Sequence, residues 1–69
     1  MKFTIVDETF GEKEERSWYS GSNSILVSAW VRPGRYRITP RSWPETIDQV
    51  DVLIEALKQA SAWVLGKVR

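Results

Sequence analysis

The sequence predicts one α+β domain over residues 1–69: an antiparallel β-sheet of about four strands followed by one long C-terminal helix (ββββα). Three observations predict it. Apolar residues alternate through residues 2–6 and again through residues 24–32, the period of strands with one buried face. Breaks at Gly11, at Gly21-Ser22-Asn23 and at Pro33-Gly34 divide the first part of the chain at hairpin spacing. From Trp43 to Leu65 the apolar period lengthens to that of a helix.

The first strand sets Phe3 and Ile5 on one side and Lys2, Thr4 and Val6 on the other. Residues 11–16 read as a charged turn, after which the aromatic run Ser17-Trp18-Tyr19-Ser20 pairs back. Residues 24–32 form the strongest strand, with Ile25, Val27, Ala29 and Val31 facing one way and Leu26, Ser28 and Trp30 the other. Pro33-Gly34 turns the chain, Pro fixing φ at the first corner and Gly accepting positive φ at the second. Residues 35–39 return. A two-residue loop opposes Arg32 to Arg35, Val31 to Tyr36, Trp30 to Arg37 and Ala29 to Ile38, which leaves Trp30, Arg32, Arg35 and Arg37 on the open face. Pro-Gly is not the preferred two-residue hairpin turn, and a slip of one residue would exchange the two faces.

Ser42 followed by Glu45 reads as a capping box, with Pro44 tolerated in the first turn and Gly66 as the stop. A helix over residues 43–65 would be about 34 Å long. It has two apolar faces. Trp43, Ile47, Val50, Ile54, Leu57, Val64 and Val68, widened by Leu53 and Ala60, form one stripe, and Val52, Ala56 and Trp63 cluster roughly opposite. A helix lying on its own sheet needs only one such face. Val52, Ala56 and Trp63 are therefore expected at the interface of a homodimer, which also suits a domain too small to bury a large core.

Composition narrows the function. The chain has no Cys and no His, which excludes disulfides and thiolate or imidazole metal sites and removes the usual bases and nucleophiles of catalysis. The expectation is a protein that is not an enzyme, with no cofactor, no metal and no small-molecule substrate. Neither a signal-peptide core nor an apolar run of bilayer length is visible, so the expected setting is intracellular (cytoplasm, nucleoid or nucleus), with no membrane partner.

The net charge of +1 hides a strong segregation. Residues 1–23 set Lys2, Lys13 and Arg16 against Asp7, Glu8, Glu12, Glu14 and Glu15, whereas residues 24–43 hold Arg32, Arg35, Arg37 and Arg41 with no acid. Arginine neutralises phosphate, and an aromatic ring on the same open strand face can stack on an unpaired base. Trp30, Arg32, Arg35, Arg37 and Arg41 are therefore candidate nucleic-acid-binding residues. Trp18, Tyr19, Trp43 and Trp63 read as core or interface packing. The same basic face would also serve a small inhibitor or adaptor module that docks an acidic protein.

From Ser24 onward the sequence resembles the C-terminal domain of the positive cofactor four family of transcriptional coactivators, small proteins that bind single-stranded DNA. The carrying residues are Ile25-Leu26-Val27-Ser28-Ala29-Trp30, the Arg32-Pro33-Gly34-Arg35 turn, Ile38-Thr39 and the long helix. The resemblance implies four strands and a helix, a homodimer with antiparallel helices, and a β-face for unpaired strands in transcription or replication. Carried over by position, it touches Trp30, Arg32, Arg35 and Arg37. The chain departs from that family at Arg37, where a small residue is usual, and in its acidic N-terminal turn.

Overall fold

Two glycines set the hairpins. Gly11 takes a φ of 62° in the two-residue turn between strands β1 (Thr4–Phe10) and β2 (Lys13–Ser20), and Gly34 takes 75° after Pro33 between β3 (Ile25–Arg32) and β4 (Arg35–Pro40). Both conformations lie in the left-handed region that costs glycine little. The computed structural model describes residues 2–68 and follows the ββββα order expected from the sequence, closing with helix α1 (Ile47–Val68). The strands form one antiparallel sheet in the order β1-β2-β3-β4. The Pro33-Gly34 register is the unslipped one: Arg32 opposes Arg35, Val31 opposes Tyr36, Trp30 opposes Arg37 and Ala29 opposes Ile38.

The stretch read as a charged turn is strand instead. Only Gly11 and Glu12 turn, and Lys13-Glu14-Glu15-Arg16 is the first half of β2, paired to β1 on one side and β3 on the other. Pairing on both edges holds this stretch extended although it contains no apolar residue.

The core lies between β3 and the helix. Trp18, Val27, Ala29 and Val31 from the sheet pack with Ala56, Ala60 and Val64, and Phe3, Ile38, Leu53, Leu57 and Trp63 close its margins. Trp63 meets Trp18 edge-on, with centroids 5.9 Å apart and planes at 76°, the arrangement favoured by the ring quadrupoles. The helix faces thus differ in part from the expectation: Leu53, Leu57, Ala60 and Val64 of the expected sheet-facing stripe do pack there, but the residues expected opposite join them. Val52 and Ala56, expected at a dimer interface, are 3% and 0% exposed within the single chain, and Trp63 is half-buried against the sheet. Val52, Ala56, Ala60 and Val64 recur every four residues, and the two small alanines pack in one cluster with Val27, Ala29 and Val31 of β3. The rest of the expected stripe stays outside: Ile47 is 78% exposed and Ile54 46%.

The helix also starts one turn later than expected. Thr46 caps it, its Oγ1 accepting the Gln49 backbone N–H at 3.1 Å, while Gln49 Oε1 accepts from the N–H groups of Thr46 (3.2 Å) and Glu45 (2.7 Å). This is a capping box built on Thr46 and Gln49. Ser42 has another task, accepting the Leu26 N–H at 3.1 Å. Gly66 does not stop the helix, which continues to Val68. Its length is too short of apolar residues to cross a membrane, as holds for every helix among the described residues.

Candidate nucleic-acid interface

Strand parity assigns the sheet two different faces. The face toward the helix carries Trp18, Val27, Ala29, Val31 and Ile38; the other carries no helix. The registers resolve that open face into rows running across the sheet. Thr4, Tyr19 and Leu26 form the first row, and Arg41 extends it by donating its N–H to the Leu26 carbonyl at 2.8 Å. Val6, Ser17, Ser28 and Thr39 form the second, Glu8, Glu15, Trp30 and Arg37 the third, and Phe10 with Lys13 and Arg32 with Arg35 the fourth.

Trp30, Arg32, Arg35 and Arg37 therefore share one surface, as the expected register required. Arg32, Arg35, Arg37 and Arg41 are exposed and Trp30 is half-buried. Arg35 and Arg41 lie at opposite ends of the same strand line, about 20 Å apart at 3.4 Å per residue. The Arg32 guanidinium lies 5.8 Å from the Trp30 ring centroid and the Lys13 ammonium 5.9 Å, so cations flank the ring. The row beside Trp30 is low: Ser17 and Ser28 hydroxyls bond each other at 3.1 Å, and Ser28 is buried. A shallow step thus lies between Tyr19 and Trp30, floored by small side chains.

Three residues on this face escaped the sequence reading. Tyr19, 43% exposed, stands on the open side instead of in the core, and Phe10 and Lys13 join it from the β1–β2 hairpin, with Lys13 5.2 Å from the Phe10 ring. Alternation through residues 13–20 would have found Lys13 and Tyr19 had the stretch been read as strand. Trp43, expected to pack, is 87% exposed in the segment between β4 and α1.

Acids also enter the face. Glu15 opposes Trp30 directly, and Glu8 opposes Glu15. The open surface is thus bipolar, basic over β3 and β4 and acidic over the β1–β2 hairpin. At the hairpin tips, an open notch of about 510 Å³ is lined from both faces, by Glu14, Tyr36 and Lys67 from the helix side and by Arg32 and Arg35 from the open side, among others. Lys67 and Glu14 pair there at 3.0 Å. Comparison with protein-family models, with curated proteins and with solved structures found no match.

Proposed function

We propose that this chain binds single-stranded nucleic acid as a homodimer, without catalysis, through the open face of its sheet. The observation that carries the reading is the β3–β4 register, which sets Trp30 among Arg32, Arg35 and Arg37 on a solvent-facing surface. Such a face offers cations for phosphates and a ring for an unpaired base, at strand spacing that suits an extended chain better than a duplex groove. The resemblance to the positive cofactor four family points to DNA. The homodimer is supported by the outer helix stripe rather than by Val52 and Ala56: Ile47, Val50, Ile54, Leu65 and Val68 are exposed, and their spacings of three, four, eleven and three residues set them on one side of the helix, as suits a helix that meets another helix.

Titration with oligo-dT, followed by tryptophan fluorescence at low and moderate salt, tests the reading. Quenching is expected, with affinity falling as salt rises because phosphate contacts release counterions. Trp30→Ala should weaken binding by about 5- to 100-fold, the effect of losing one stacked base. Absence of quenching at low salt, or binding indifferent to salt, overturns it. The Glu8–Glu15–Trp30 row favours a second reading, an inhibitor or adaptor docked on a protein. That module would show no oligonucleotide affinity and would hold one protein partner at fixed stoichiometry.

A further inference from the structure

The open face leaves opposite charges uncompensated at its two ends. Both ion pairs among the described residues, Arg16 with Asp7 and Lys67 with Glu14, lie on the helix side. On the open side Glu8 and Glu15 stand directly opposite each other on neighbouring strands, an unfavourable placement for like charges, and neither has a cation within 4.0 Å among the described residues. The row they occupy ends on β4 at Arg37, and Arg35 follows on the same side; neither has a carboxylate within 4.0 Å among the described residues.

Glu8 sits on one free edge of the sheet, and Arg35 and Arg37 on the other. β1 and β4 are its outer strands, each paired on one side only, so each presents an unpaired line of backbone donors and acceptors. Three successive antiparallel pairings make β1 run opposite to β4. A second copy set beside the first in the same orientation would therefore bring its β1 to the first copy's β4 in the antiparallel sense, continuing the meander. Extended across that junction, the existing rows oppose Arg37 to Glu8 of the next copy, with Arg35 on the diagonal. Side-chain parity is kept, so open face continues open face. The helix touches β2, β3 and β4 but not β1, and leaves the β1 edge uncovered.

Like edges do not match. β4 against β4 sets arginines together, and β1 against β1 sets acids together. Charge thus selects the unlike pairing and disfavours both alternatives. We propose that copies of this chain associate head to tail, the β4 edge of one with the β1 edge of the next, forming a continuous sheet with a Glu8–Arg37 contact at each junction. A contact of this kind is heterologous and generates a ring where the rotation closes or an open chain where it does not. It goes beyond the symmetric helix contact of the proposed dimer and is independent of nucleic acid.

Sedimentation of the purified full chain without nucleic acid, at high micromolar concentration and about 20 mM or about 500 mM salt, tests the proposal, the high-salt arm screening exposed charges beyond a few ångströms. The low-salt wild type is expected to form species larger than a dimer, reduced at high salt. Glu8→Arg and Arg37→Glu should each weaken this association by about tenfold or more, since each replaces an attraction by a repulsion. An equimolar mixture of the two variants should restore it, because every alternating junction then pairs opposite charges. Circular dichroism establishes that each variant is folded. Glu8→Gln and Arg37→Gln provide a second pair, expected to weaken association and, on mixing, to restore only every second junction, giving paired copies without longer species. The whole series repeated with Ile54→Glu separates the edge contact from the helix stripe. A wild type never larger than a dimer, reversals that assemble like the wild type, or a mixture as dispersed as its components would each overturn the proposal.

Discussion

The two hairpins of the sheet share an antiparallel ladder and a two-residue turn, yet different forces hold them. In the β3–β4 hairpin, Ile25, Val27, Ala29 and Val31 alternate inward and are buried, and the helix lies on them. In the β1–β2 hairpin, every residue of β1 is exposed and the helix does not reach it. β1 is extended because β2 is beside it, and β2 is anchored by Trp18. Strand formation and core formation are thus separable in one sheet. The uncovered strand carries Asp7 and Glu8, which leaves its edge charged and free of core duties.

Removing the anchor should have the largest effect. Trp18 is 2% exposed, and Trp18→Ala is expected to cost about 3–5 kcal/mol. A chain of this length has a total stability of roughly 3–10 kcal/mol, so much of the variant should be unfolded at ambient temperature. Ile5→Ala, on the opposing position of β1, should cost less than about 1 kcal/mol because Ile5 is already 47% exposed. Urea denaturation of both variants measures the contrast. Equal shifts in midpoint would show that β1 shares the core after all.

A smaller effect is expected where the helix is fastened to the loop between the hairpins. Besides completing the cap, Gln49 donates its Nε2 to the Asn23 carbonyl at 2.9 Å. Gln49→Ala removes both the reciprocal cap and this tie, for about 1–2 kcal/mol in the same measurement. Gln49→Glu keeps the acceptor for Thr46 and Glu45 and loses only the donor to Asn23, so it should fall between wild type and alanine. If glutamate were as costly as alanine, the cap would contribute nothing.

These contrasts follow how much of the molecule was legible in its sequence. β3 and β4 were, because alternation marks a strand with one buried side and a two-residue turn fixes the parity of its partner; Trp30 and its arginines came with them. The first half of β2 was not, since four consecutive charged residues carry no periodicity and their conformation is imposed by neighbours. Ser42 with Glu45 and Thr46 with Gln49 satisfy the same capping pattern one turn apart. Only the tertiary bond from Leu26 to Ser42 decides between them. The helix face was misread because isoleucine and leucine outweigh alanine in any hydrophobic count, whereas close approach to a sheet favours the small residues Ala56 and Ala60. Tyr19 was not assigned to the open face for a related reason: aromatic character alone does not tell a buried face from an open one.

The smallest effect expected concerns the tie that holds β1 from the side. Arg16 donates to both Asp7 oxygens, Nε at 2.6 Å and Nη2 at 2.8 Å, and its guanidinium lies 5.6 Å from the Trp63 ring. The hydrogen bond from Arg16 holds the Asp7 carboxyl below its ordinary pKa, with partial desolvation opposing and the charges of Arg16 and Lys67 adding to the lowering. A carboxyl depressed in the folded state contributes stability above its unfolded pKa and loses it as pH falls toward the folded value, so the tie should weaken below about pH 4. Both partners are solvent-accessible, which keeps the contribution small. Amide exchange of β1 relative to β3 is the sensitive reporter, because local opening of an uncovered strand precedes global unfolding. Asp7→Asn should exchange faster than wild type in β1 at neutral pH, with β3 unchanged, and the two proteins should converge as the pH is lowered through that window. Equal exchange of the two proteins in β1 at neutral pH would mean that β1 is held by its ladder alone, and that the contrast between the hairpins lies entirely in the core.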